Sequence, residues 1–113
     1  MEARAVADLI RISPRKVRLV IDTIRGKNVN AALRVVSLCN KKAARPIRKT
    51  LESAIANAEN NYDVDVDQLC VVGAYVDMRK PLRRLKPRAM GRADIIRRPM
   101  SRITVIVSDE RSQ

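Results

Sequence analysis

Residues Met78–Pro99, MRKPLRRLKPRAMGRADIIRRP, constrain this chain more than any other stretch. They hold nine cations, Arg79, Lys80, Arg83, Arg84, Lys86, Arg88, Arg92, Arg97 and Arg98, against one acid, Asp94. A segment so charged has no core of its own. Strand-like segments flank it, Leu69–Asp77 and Arg102–Ser108. In the second, Ile103, Val105 and Val107 alternate with Arg102, Thr104, Ile106 and Ser108. In the first, Leu69, Val71 and Tyr75 alternate with Cys70, Val72, Ala74 and Val76. A connection of roughly 22 residues is too long for an unstructured loop in a compact domain. Continued outward as a ribbon, about ten residues per side reach about 30 Å. The expectation is a cationic β-arm at about 78–100, projecting from a small body and ordered by something outside it.

Within the arm, Pro81, Pro87 and Pro99 remove ladder donors and should bend or interrupt the ribbon. Gly91 is its only glycine, which places the tip near Pro87–Gly91. Arginine outnumbers lysine there. A guanidinium can bridge phosphates, fork onto a base edge or stack on a base, which suits close contact with folded RNA. The arm has no aromatic residue, so readers of single strands that stack bases on aromatic platforms are disfavoured.

The remaining residues read as the base of the arm. Ala3–Ile12 is expected to be a first strand, with Val6, Ile10 and Ile12 on one parity. Ser13-Pro14 marks a helix start, a capping hydroxyl followed by a residue that needs no N–H there. Val17, Val20, Ile21 and Ile24 form its apolar face, Arg15, Arg18 and Arg25 its polar side, and Gly26 its end. Asn28 should cap a second helix over Val29–Leu38, with Ala32, Leu33, Val36 and Cys39 inward. A third helix runs to about Asn60, either capped by Asn40 or beginning near Arg45, because Pro46 disturbs its first turn. Its buried stripe is Ile47, Leu51, Ile55 and Ala58. Lys41, Lys42, Arg45, Arg48 and Lys49 make the start of this helix basic. Cations there oppose the helix macrodipole, so an anionic partner explains them better than local stability does.

The total of 24 Lys and Arg against 12 acids, net +12 over 113 residues, points to a polyanion and to one modest domain. An anionic membrane would require bulky apolar anchors or a long apolar run, and there is no Trp or Phe. The opening MEARAVADLI lacks the layout of a signal peptide. Catalysis is not indicated. There is no His, the three glycines are scattered, and neither Ser13 nor Ser101 has a base nearby in sequence. Cys39 and Cys70 stand alone, so no zinc site is expected and both read as reduced core residues. Asp63, Asp65 and Asp67 match the start of a calcium loop, but Gln68 and Ala74 stand where its Gly and Glu are needed. No metal or cofactor is expected.

The runs RISPRKVRLVIDTIRGK (11–27), NKKA (40–43), LESAIANAENN (51–61), AYVD (74–77), KPRAMGRADII (86–96) and SRITVIVSDE (101–110) occur in one order and cover nearly the whole chain. Together they resemble the bacterial large-subunit ribosomal protein twenty-two family. The resemblance implies an α+β fold, three helices packed on a small antiparallel three-stranded sheet, with a long protruding β-hairpin. It implies a structural role in the large ribosomal subunit, with several domains of rRNA, neighbouring proteins including protein four, and the nascent polypeptide as partners. Neither a membrane nor a second copy of the chain is expected. The body would sit near the outer end of the exit tunnel. The hairpin tip, Leu82, Arg83, Arg84, Leu85, Lys86, Pro87, Arg88, Ala89, Met90 and Gly91, would line the tunnel wall, where changes in the family alter macrolide sensitivity. The rRNA-binding set is then Arg11, Arg15, Lys16, Arg18, Arg25, Lys27, Lys41, Lys42, Arg45, Arg48, Lys49, Arg102 and the nine arm cations. The chain departs from the family pattern at Met78, Arg79 and Lys80, where an acidic-Gly-Pro turn is usual, and at Arg102, usually His.

Overall fold

The computed structural model describes residues 1–87 and 93–109, the side chains of 80–98 excepted. In chain order it has strand β1 (Glu2–Ile10), helices α1 (Pro14–Ile21), α2 (Val29–Leu38) and α3 (Ala44–Tyr62), a 3-10 turn (Val66–Gln68), and strands β2 (Cys70–Pro87) and β3 (Ala93–Ser108). The strands form one antiparallel sheet in the order β1-β3-β2. The expected α+β class, three helices against a three-stranded antiparallel sheet, is the one the chain adopts.

Ile103, Val105 and Val107 of the central strand β3 are fully buried. They share one core with Val17, Val20, Ile21 and Ile24, with Val29, Ala32 and Val36, and with Ile47, Leu51, Ala54 and Ala58. Helical spacing thus identified the inward face of each helix correctly. Ser13 caps α1, its hydroxyl accepting from the Lys16 N–H. Asn28 caps α2, accepting from the Asn30 N–H at 2.9 Å.

Three expectations need correction. Regular helix α1 stops at Ile21, not at Gly26, and the chain continues in turns. Gly26, at φ 81°, instead swings the backbone onto the edge of β2. Its N–H donates to the Val71 carbonyl at 2.9 Å, and the Val71 N–H donates to the Lys27 carbonyl at 2.8 Å. Of the two starts expected for α3, the one near Arg45 is adopted, and Asn40 does not cap the helix. A turn at 41–44 delivers the cap position to Ala43, which has no side-chain acceptor, and Pro46 falls in the first turn, where its missing N–H costs nothing. The third correction concerns strand parity. In β1 the buried residues are Ala3 and Ala5, whereas Val6 is exposed. An irregularity between Ala7 and Ile10, with Leu9 at φ 56°, reverses the alternation, so that Ile10 and Ile12 turn inward. In β2 an irregularity between Val71 and Gly73 does the same. Leu69 and Val71 are buried, then Ala74 and Val76, and Tyr75 lies exposed on the outer face.

Pairing of β2 with β3 continues beyond Asp77 to Pro87↔Ala93. Its register shifts between Arg79 and Leu82, where Lys80 and Pro81 face Pro99. Two of the three arm prolines therefore meet at one ladder irregularity, as their missing N–H groups require. The tip expected at Pro87–Gly91 runs into residues 88–92 and, with the side chains of the arm cations from Lys80 to Arg98, lies outside the described residues.

Candidate nucleic-acid interface

The cations expected on the body stand on three neighbouring pieces of chain: α1 and its flanks, the turns after it, and the start of α3. Arg11, Arg15, Lys16, Arg18, Arg25, Lys27, Lys41, Lys42, Arg45, Arg48 and Lys49 are all exposed. Helix α3 is polarised along its length. Its first turn contains no acid, its last turn no base, and no side chain caps its start. This is the reverse of what the macrodipole favours, and it leaves a concentration of positive potential at residues 41–49. One ion pair, Arg48 Nε to Glu52 Oε1 at 3.4 Å, is exposed and contributes little.

Not every cation is fully available. Arg18 and Arg25 each donate to a carbonyl of β2, to Val76 at 3.1 Å and to Ala74 at 2.7 Å. Arg25 also pairs with Asp22 at 2.8 Å. Because β2 is an edge strand, these two arginines and the 26–27 turn cover acceptors that would otherwise face water or another strand. An arginine has five N–H donors, so the remaining ones stay open to an anion.

The fold brings four of the candidate cations together. Arg11, Lys16, Lys41 and Lys42 surround a groove of about 830 Å³ lined also by Ile12, Ser13, Leu19, Ala43 and Pro99. Its walls are the β1–α1 connection, α1, the turn before α3 and the base of the arm on β3. Among the described residues no acid lines it.

At the root of the arm, Arg79 and Arg102 converge on one carboxylate. Asp8 Oδ1 lies 3.0 Å from Arg79 Nε, and Asp8 Oδ2 lies 3.3 Å from an Arg102 terminal nitrogen. The Arg79 approach is a charge contact rather than an aligned hydrogen bond. Partial burial pushes the Asp8 carboxyl up. The Leu9 N–H, the Arg102 hydrogen bond and the charges of Arg79 and Arg102 outweigh it and hold the carboxyl below its ordinary 3.8. Asp8 therefore stabilises the fold fully above its unfolded pKa, and that contribution is lost as pH falls through the lower folded value. A carboxyl-carbon titration should give Asp8 a midpoint below that of an unfolded aspartate. A midpoint at or above the unfolded one would contradict this pairing. The two departures from the family pattern thus share one anchor.

Sequence reasoning missed Asp8, Leu19 and Pro99. Asp8 became relevant only through the β1-β3-β2 order, which carries Arg79 across β3 towards it. Leu19 did carry a signal, being an apolar residue on the polar side of α1, and it is 61% exposed. The three aspartates of the 63–67 segment have local structural roles. Asp63 ends α3 in the left-handed region, Asp65 caps the 3-10 turn, and Asp67 accepts from Asn30 at 2.9 Å. Among the described residues no cluster suited to a metal ion occurs, and no helix is long and apolar enough to cross a membrane.

Fold and surface together define a class: a small, strongly cationic α+β protein with a cation-lined groove on its body. The comparisons with known proteins narrow the class. Residues 5–108 match the family model described as ribosomal protein L22p/L17e, and the chain belongs to this structural, non-enzymatic family. It is similar to the large ribosomal subunit protein uL22 of Fusobacterium nucleatum subsp. nucleatum, with 56% identity over 110 residues, 97% of this chain and 99% of the relative. The protein of the same name from Desulfitobacterium hafniense is 54% identical over 110 residues, 97% of this chain and 96% of the relative. That of Staphylococcus haemolyticus is 51% identical over 113 residues, all of this chain and 97% of the relative.

Proposed function

We propose that this chain, a structural constituent of the large ribosomal subunit in the cytoplasm, binds and organises large-subunit rRNA through two sets of cations. The exposed cations of α1, its following turns and the start of α3 fix the body on phosphates of several rRNA domains. The arm at about 78–100 orders as it docks among RNA strands, with Leu82–Gly91 on the wall of the nascent-polypeptide tunnel beside protein four and the body near the tunnel exit. Residues Leu82–Met90 then influence macrolide sensitivity. The observation that carries the reading is the inverted electrostatics of α3. Five cations cluster where the helix dipole is already positive, a cost that an anionic partner offsets.

The test is partition between RNA and DNA. At moderate salt the purified chain should co-sediment with large ribosomal subunits reconstituted without their own copy, and should be poorly retained on duplex DNA. Preference for duplex DNA would replace this reading with that of a DNA-bending protein.

A further inference from the structure

We propose that the groove between α1 and the start of α3 seats one extruded nucleotide of RNA, its phosphate at the cationic rim and its base on the apolar lining. The inference rests on the RNA-binding reading above and adds a defined seat to it. The groove has two chemically different parts. Its rim carries Arg11, Lys16, Lys41 and Lys42, with no acid among the described lining residues. Its apolar lining is Ile12, Leu19, Ala43 and Pro99. Phosphates alone would use the rim and gain nothing from the apolar lining, because an anion is better hydrated than laid on aliphatic carbon.

The ligand must therefore join a negative group to a flat apolar face within one short unit. A nucleotide does so. The groove volume of about 830 Å³ falls within the range of about 300–1,000 Å³ typical of small-ligand clefts. RNA loops and bulges supply unstacked bases that can be splayed into such sites.

Two details place the phosphate. Ala43, which lines the groove, is the cap position of α3 and offers no side-chain acceptor. A phosphate there would lie at the positive end of a 19-residue helix, beside Lys41 and Lys42. On the opposite wall, Leu19 stands one helical turn from Lys16, so a charge and an apolar surface share one face of α1. Leu19 is 61% exposed while Val17, Val20 and Ile21 fill the core, so folding alone does not account for its position.

The seat can be tested on the full chain with isotope-labelled Ile and Leu methyls. Decaadenylate RNA should shift the Ile12 and Leu19 methyl resonances through the ring current of a purine. An abasic ribose-phosphate oligomer of equal charge should bind without those shifts. Leu19→Ser should weaken decaadenylate about fivefold and the abasic oligomer less than about twofold. Methyls that stay still while both oligomers bind, or that move equally with both, would reduce the groove to a cationic rim and overturn the seat. Larger methyl shifts with polyglutamate than with decaadenylate would give the groove to an acidic peptide and overturn it as well. If large-subunit rRNA transcripts still bind with a steep salt dependence, only the seat has failed. If they do not bind, the RNA-binding reading has failed with it.

Discussion

Ile103→Ala should lower folding stability by about 2–5 kcal/mol, a large part of the total of about 5–15 kcal/mol usual for a domain. Ile103 is fully buried on the central strand, opposite Ala7 of β1 and Val76 of β2. Its neighbours are held by hydrogen-bonded ladders on both sides, so they cannot close over the space a shortened side chain leaves. Cavity cost therefore adds to lost burial. Thr104, the next residue, points to the outer face and is only partly covered. Thr104→Ala should change stability by no more than about 1 kcal/mol. Urea unfolding of both variants measures the contrast. Equal losses would mean that the inward face of β3 has been assigned wrongly.

That contrast was legible from the chain alone, since Ile103, Val105 and Val107 alternate without interruption and β3 keeps one parity from there to its end. The helices were legible for the same reason. Their apolar residues recur at helical spacing, and Ser13 and Asn28 mark two of the three starts. What misled was the extra residue in a strand. One added residue moves every later side chain to the opposite face; nothing in the types at Ala7–Ile10 announces it, whereas Gly73, a lone glycine inside a strand, was a signal left unread. Val6 was accordingly grouped with Ile10 and Ile12, and Tyr75 with Leu69 and Val71, although the structure puts each on the opposite face from them.

The start of α3 was legible in part: Pro46 pointed to a beginning near Arg45, and the regular helix starts at Ala44. Asn40 is a good capping residue, but the turn at 41–44 moved the cap to an alanine that no propensity scale would choose. Local rules are most often broken where something other than folding sets the sequence, and this end of α3 is also where the cations gather. The groove could not be read from sequence, because its walls come from three separated segments. Its cations could be, as charges in excess of what the fold requires.

Salt should move RNA affinity more than any single substitution. Of the body cations in the candidate set, Arg25, Arg48 and Arg102 pair with acids and Arg18 donates to a backbone carbonyl. Arg11, Arg15, Lys16, Lys27, Lys41, Lys42, Arg45 and Lys49 have no acid partner among the described residues. If each meets a phosphate, the slope of log affinity against log salt is about −6 to −7 from the body, at about −0.7 to −0.9 per phosphate. Affinity for large-subunit rRNA should then fall by about 10³–10⁵ between about 50 and 200 mM salt. A steeper slope would report arm cations adding to the body. Lys41→Ala with Lys42→Ala should flatten it by about 1.4–1.8. Arg79→Ala should flatten it less than a free cation does, because Asp8 already holds that guanidinium. Filter binding across a salt series measures the double variant, Arg79→Ala and Lys41→Ala alone. An affinity for rRNA that does not respond to salt would remove phosphate neutralisation as the reason for the charge. An equal slope change for Arg79 and for a single groove lysine would show that Asp8 releases Arg79 when RNA arrives.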